Sequence, residues 1–249
     1  MDSKIGISIV SYYNTIPFVY GLERFMPDDV IDLQKVPPSV CAQKLINKEV
    51  AMSLTPVGAL FDLPEYHIYT DYCIGARKRV ATVELFSCCP LNEIKRIYLD
   101  HDSRTSNLLV QVLAKELWHI SPEWISPEKG YEQKIQGTTA GVIIGNRAFD
   151  YVHKIPFHYD LAEEWQRLTH LPFVFACWAS LVPIDESFVK MINCALKSGL
   201  DHLDDAIAYQ NNEFEMDIKA YLTENISFTF DEEKQKALRL FELMCKSLK

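Results

Sequence analysis

The sequence predicts an α/β protein of two lobes around a ligand cleft. Short β-branched runs alternate with amphipathic stretches along most of the chain. No long linker separates the halves, so the lobes are expected to be joined by strands. Two apolar runs, residues 80–90 and 171–180, are placed to cross between them. With both crossing, lobe 1 takes residues 1–85 and 178–249, and lobe 2 is inserted as residues 86–177. A ligand would then sit between the lobes.

Residues 4–10 alternate and are rich in isoleucine, which predicts a buried first strand. Residues 11–18 follow as a polar loop, with Pro17 in the first turn of a helix. Ser39, after Val36-Pro37-Pro38, is expected to cap a short helix reaching Asn47. Residues 50–54 form a short strand ending at Thr55-Pro56. Residues 80–86 and 96–99 read as further strands, and the polar segment 100–106 leads into a helix. Leu108, Leu109, Val112, Leu113 and Leu117 share one face of that helix, with Ser103 or Thr105 as its N-cap. Residues 119–137 read as surface loop, 141–145 as a buried strand, and 171–178 as a strand buried on both sides. From 185 the chain is mostly helical. Phe188, Met191, Ile192, Ala195 and Leu196 form one helix face, with Gly199 as its stop. A last helix starts at Asp231 with Ala237, Phe241, Met244 and Leu248 on one stripe.

Composition excludes several classes. The chain has 249 residues, 48% apolar and 24% charged, with a formal net charge of −9. Its densest basic cluster is Arg77-Lys78-Arg79, too little for a phosphate-tracking stripe, so no nucleic-acid partner is expected. No apolar run approaches the roughly 20 residues that span a bilayer, and the opening residues, with Asp2, lack a signal-peptide pattern. A cytoplasmic protein without membrane contact is expected. Seven cysteines lack a C-x-x-C pair and read mostly as small buried hydrophobes. The seven histidines form no zinc pattern, and His153 and His158 fall in a polar stretch expected at the surface, so no metal site is expected. Dinucleotide, P-loop and nucleophile-elbow motifs are absent from the sequence, and Cys177 lies inside an apolar strand, a core position.

What remains is a set of polar residues at predicted strand ends, where open α/β sheets collect ligands. Ser11 to Thr15 follows the first strand, Thr55 the third, and Asn146-Arg147 the strand before them. Thr82 lies in the first crossing strand. Ser103, Arg104, Thr105 and Ser106 combine hydroxyls, backbone N–H groups, a guanidinium and the positive end of a helix, a combination suited to a carboxylate. A plain helix cap with a solvent-facing arginine fits the same residues. At this level the chain reads as a binder of, or enzyme for, a small anion.

Six segments occur in order: YYNTIPF (12–18), VPPS with SLTP (36–39 and 53–56), DHDSRTSNLL (100–109), IIGNRA (143–148), YDLAEEWQRLTHLPFVFACW (159–178) and YLTENI (221–226). Together they resemble the chorismate dehydratases of the futalosine route to menaquinone. The resemblance implies a periplasmic-binding-protein type II fold and no cofactor. It also implies the reaction: chorismate loses water to give 3-[(1-carboxyvinyl)oxy]benzoate. Such an elimination, driven by aromatisation, asks for positioning and electrostatics more than strong acid–base power. By resemblance, Asn14 hydrogen-bonds substrate near the reacting carbons, and Thr82 replaces a serine usual in the family. Ser103 to Ser106 form the carboxylate site, chiefly through Thr105 and Ser106. The substrate's own enolpyruvyl carboxylate is a family-compatible proton acceptor. Ala51, where an acidic residue is common, and the basic run 77–79 depart from the family pattern. The related 1,4-dihydroxy-6-naphthoate synthases share the fold, and a non-catalytic carboxylate-binding protein is the remaining alternative. The oligomeric state is not legible.

Overall fold

β1 (Ile5–Val10) lies between two parallel neighbours, β2 (Ile31–Val36) and β3 (Met52–Pro56), with Ile5 opposite Ile31 and Ile7 opposite Met52. This computed structural model describes residues 4–210 and 216–248. The expectations for Asp2, for 211–215 as part of a helical stretch and for Lys249 lie outside the described residues. Helix α1 (Ile16–Phe25) joins β1 to β2, and α2 (Pro38–Ile46) joins β2 to β3. Ser39 does not cap α2. The helix begins two residues earlier than that cap would place it, at Pro38, and Pro37 holds the cap position without a side-chain bond. A short α3 (Val57–Leu60) leads to β4 (His67–Ala76).

The chain then builds β5 (Val83–Ser87), β6 (Arg96–Tyr98), α4 (Arg104–Glu116), β7 (Glu123–Ile125), β8 (Thr139–Ile144), β9 (Phe157–Asp160), α5 (Leu161–Thr169) and β10 (Phe173–Ser180). The remaining elements are α6 (Glu186–Asp201), α7 (Leu203–Tyr209), α8 (Ile218–Ala220), a π turn (Tyr221–Asn225), β11 (Ser227–Thr229) and α9 (Glu232–Lys246). One sheet has the order β11-β4-β10-β3-β1-β2, the other β7-β6-β8-β5-β9.

The α/β prediction holds, and the chain divides into two units. The first runs to Ile74 and includes Ala176–Asp231; the second holds Gly75–Phe175 and the chain from Glu232 onward. The chain therefore passes between units three times, not the two expected from lobes 1–85 with 178–249 and 86–177. The reason is α9. Its apolar stripe meets the second unit, with the Phe241 ring 5.6 Å from Trp165 and 4.9 Å from Phe173, both edge-on. Lys115 of α4 also donates to the Ser247 carbonyl at 2.8 Å.

Three further expectations change. Gly199 does not stop α6, which continues to Asp201. It is a contact residue: a Cβ there would lie 1.9 Å from the Pro17 carbonyl oxygen, and one on Gly21 would lie 2.2 Å from that of Ala195. Two glycines thus let α1 and α6 touch backbone to backbone. Residues 119–137 are not simply a surface loop. They contain β7 and a 3₁₀ turn whose Tyr131 is fully buried. The strand expected at 80–86 begins only at Val83, because Val80 and Ala81 turn their N–H groups to the Asp160 side chain. Among the described residues no helix is long and apolar enough to cross a membrane.

Candidate active site

In the first unit the candidate residues sit at the C-terminal ends of β1 and β3. A single 3₁₀ turn, Tyr13–Thr15, bridges β1 and α1. The Thr15 hydroxyl locks it, lying 2.6 Å from the Val10 carbonyl and 2.8 Å from that of Tyr12. Pro17 then falls in the first turn of α1, where a missing N–H costs nothing. This scaffold holds Asn14 with its Oδ1 buried and without a hydrogen-bond partner. Leaving a buried acceptor unmade costs about 1–3 kcal/mol, so such atoms ask for a functional reason. Among the described residues the one other such atom is Trp178 Nε1, in the same unit, whose ring lies 6.2 Å from Phe18 in α1. A pocket of about 150 Å³ opens at this turn beside Ser11, Tyr12, Tyr13 and Lys35. Thr55 lies within β3 rather than after it. It is 1% exposed, opposite Cys177, and its hydroxyl faces the Ser53 carbonyl at 3.4 Å.

In the second unit the candidates gather at one end of the sheet. β6 and β8 run parallel, and β5 runs antiparallel to β8 with Val83 opposite Ile144. The loop after β6, the turn after β8 and the residue before β5 therefore share that end. Thr82 is that last residue; it precedes β5 instead of lying inside a crossing strand. Its carbonyl accepts the Gly145 N–H at 2.8 Å, which brings it beside Asn146 in the 3₁₀ segment Gly145–Asp150. Ser103 caps α4 as expected, accepting the Ser106 N–H at 3.0 Å, and the two hydroxyls lie 2.9 Å apart. Thr105 is not the cap; its hydroxyl donates to the Phe175 carbonyl at 3.2 Å. Ser103, Thr105 and Ser106 are buried, whereas Arg104 is exposed. The positive end of a helix of more than three turns rises from this loop and favours an anion.

A buried network holds the loop. Asp100, 1% exposed, accepts from Tyr131 Oη at 2.8 Å, Arg147 Nη2 at 2.7 Å and the Asp102 N–H at 2.8 Å. Burial raises the Asp100 pKa above the usual carboxylate range, against the pull of the Arg147 guanidinium. Burial likewise raises the Tyr131 phenol, so it stays a donor. Arg147 also meets Glu132 at 2.5 Å, and the Asn107 side chain bonds both the N–H and the C=O of Asp100. Asp100, His101 and Asp102 could bring three ligand atoms within 4.8 Å of one another. The Arg147 guanidinium already neutralises that spot, 2.7 Å from Asp100 and 3.9 Å from Asp102, so a metal ion there would compete with a fixed cation.

Sequence reading missed the carboxylates. Asp100 and Asp160 look like surface acids in sequence, yet both are buried. His158, expected at the surface, lies in β9 with Nδ1 2.6 Å from the fully buried Glu84. The Asp160-x-x-Glu163 spacing opening α5 is a helix-start signal that could have marked Asp160. Cys177 is a core residue as expected.

The family model for menaquinone biosynthesis matches residues 5–247. The chain belongs to this family. A chorismate dehydratase from Thermus thermophilus is 28% identical over 218 residues, covering 75% of this chain and 79% of that protein. This is the resemblance that the six ordered segments carry. Solved structures extend the likeness to the fold. An Archaeoglobus fulgidus protein superposes with a TM-score of 0.77 at 15% identity, over 99% of this chain and 98% of its own. A Candida albicans gene product with the generic periplasmic binding protein fold gives 0.66 at 14% identity, over 96% and 90%. The periplasmic aliphatic sulphonate binding protein of Escherichia coli gives 0.61 at 12% identity, over 100% and 87%. The fold of this menaquinone-family chain is thus periplasmic-binding-protein-like, as the resemblance implied.

Proposed function

We propose that this protein is a hydro-lyase that dehydrates chorismate to 3-[(1-carboxyvinyl)oxy]benzoate, the entry step of the futalosine route. The observation that carries this reading is Asn14 Oδ1, a buried acceptor without a partner on a loop shaped by its neighbours. An acceptor asks for a donor. The chorismate dianion has one O–H group, the ring hydroxyl that leaves. Asn14 would accept that hydrogen bond and fix the C–O bond against the neighbouring ring C–H. The C–H electron pair becomes the new ring double bond. The hydroxyl departs with its bonding pair, the proton goes to the substrate's enolpyruvyl carboxylate, and the two leave in sum as water. Aromatisation supplies the driving force, so orientation is the main task.

The N-terminus of α4, with Ser103, Thr105 and Ser106, is assigned a substrate carboxylate, and Thr82 and Asn146 flank the same end of the sheet. Thr55 is assigned a lesser role because it lies inside β3 and not in a loop at the strand end. Arg104, being exposed, acts by long-range attraction. No cofactor takes part in this scheme. A dianion that does not cross a bilayer unaided is best handled in the cytoplasm, where we place the protein.

Incubation with chorismate, followed by mass spectrometry, tests the reaction. The expected product is lighter by one water and has a benzoate absorption spectrum. Unchanged chorismate with folded protein would sink the reading and leave a binding-only role or a later pathway step. Asn14→Ala is expected to lower kcat about 100-fold. Its unfolding free energy should match or slightly exceed the parent's, because the removed acceptor had no partner.

A further inference from the structure

Asp160 is fully engaged although it lies outside the site described above. Oδ1 accepts the Ala162 and Glu163 N–H groups at 3.0 and 3.1 Å and so caps α5. Oδ2 accepts the Val80 and Ala81 N–H groups at 2.9 and 2.7 Å. One carboxylate thus ties a helix start to the two residues before Thr82. Ala81 sits at φ +64°, a left-handed conformation that L-residues with a Cβ adopt at a cost. On the other side of Thr82, its carbonyl is held by the Gly145 N–H. The Thr82 backbone is pinned from both directions, by Asp160 through Ala81 and by Gly145 in the turn after β8.

We propose that Asp160 is a positioning residue for the dehydration: it holds Ala81 in the left-handed conformation that places Thr82, whose hydroxyl lies 3.5 Å from the Val80 carbonyl, for contact with substrate. This rests on the reading of Thr82 as a substrate contact. A carboxylate suits the task because an ionised one only accepts, and four N–H groups converge on it. An amide in its place turns an NH₂ toward two of those donors. The charged neighbours fit the same picture. Arg79 Nε lies 3.7 Å from Oδ2, and Arg79 Nη2 lies 2.8 Å from Glu84, which in turn meets His158. Without Asp160, Ala81 relaxes to negative φ and Thr82 turns with it.

The test uses the full chain and steady-state dehydration of chorismate. Asp160→Asn is expected to lower kcat at least tenfold with KM within about twofold. Adding Ala81→Gly should then restore most of the lost kcat, because glycine takes positive φ freely, while Tm stays at the single variant's value. A merely structural Asp160 would lower Tm and leave kcat per folded molecule intact, which overturns the proposal; so would failure of Ala81→Gly to rescue. Should Asp160→Asn not fold, Ala81→Val serves instead, since a β-branched residue is barred from that conformation. It is expected to lose kcat at least tenfold with KM retained, and full kcat would overturn the proposal. Thr82→Val separates the two levels. If it loses turnover while Asp160→Asn keeps it, the clamp alone fails. If Thr82→Val turns over normally, the reading of Thr82 fails and takes the clamp with it.

Discussion

The two units hold their site loops by different physics. In the first, the turn Tyr13–Thr15 is fixed by one hydroxyl on two carbonyls and by backbone-to-backbone contact of α1 with α6. Asn14 Oδ1 stays without a partner. In the second, the loop before α4 is built on a buried carboxylate, Asp100, with Arg147 and Tyr131 on it, while Asp160 anchors the approach to Thr82. There the hydroxyls are bonded to one another or to carbonyls. The difference matches two tasks. A carboxylate of the substrate needs a rigid, preorganised positive end, so polar groups can be fully bonded while N–H dipoles face outward. A reacting group needs an atom held in reserve, which an apolar scaffold provides at a standing cost in stability.

The largest expected effect would break the first unit's device. Gly199→Ala puts a Cβ 1.9 Å from the Pro17 oxygen, three residues after Asn14. Helix α1 must lift off α6, and we expect a loss of at least about 3 kcal/mol in denaturant unfolding, with turnover falling alongside. Parent-like stability would mean that the close contact is not what holds the turn. The next effect tests whether the second unit alone is held by titrating groups. Burial pushes the Asp160 carboxyl up to about 6, from an ordinary value of 3.8. The folded state therefore binds more protons than the unfolded state between those values. The resulting stability is present below pH 4 and lost as pH rises through 6. Relative to Asp160→Asn, the parent should lose on the order of 2–3 kcal/mol between pH 4 and 7. A gap between the two that stays flat with pH would show that Asp160 titrates normally. Arg147→Met comes third. It strips the cation from Asp100, but Asp100 keeps Tyr131 and the Asp102 N–H, and Arg147 is itself about a third exposed, with 34% of its side chain accessible. About 2 kcal/mol is expected, below the full cost of an orphaned buried charge, read from the unfolding midpoint at constant m-value. No loss would assign the anchoring of the loop to Asn107 and Tyr131 alone.

How much of this was legible follows the range of the interactions. β1, the Pro17 helix start and the Ser103 cap depend on residues within a turn of one another, and each is readable from a short window. β4 was not read as a strand because Thr70, at φ +72°, and Asp71 break its alternation. The stripe of α9 says that the helix buries a face, but not that Trp165 and Phe173 cover it, so its unit was misassigned. The loop residues themselves were legible as hydroxyls beside a helix start. Of their supports, Asp160 had only the helix-start spacing to Glu163, which marks a cap but not its bonds to Val80 and Ala81, and Asp100 had no local signal, because its partners Arg147 and Tyr131 lie far along the chain. The unpartnered state of Asn14 Oδ1 is a property of packing and has no local signal at all.

The smallest effect sharpens the comparison most finely. Ser103 contributes one hydrogen bond to the Ser106 N–H and one hydroxyl contact to Ser106 Oγ. Ser103→Ala removes the cap of α4 and should cost about 1 kcal/mol in stability. If the loop were only a helix cap, catalysis would not notice, because the Asp100 network holds the chain trace in place. If it receives a substrate carboxylate, loss of the cap frays the first turn, misdirects the N–H groups aimed at the anion, and raises KM severalfold while kcat changes little, since the reacting carbons are governed by Asn14. A rise in KM with kcat held is the mirror image of what Asn14→Ala should do. Kinetics of these two variants measured side by side would therefore separate a binding loop from a reacting one. Equal losses in kcat from both would show that the division of labour between the loops is false.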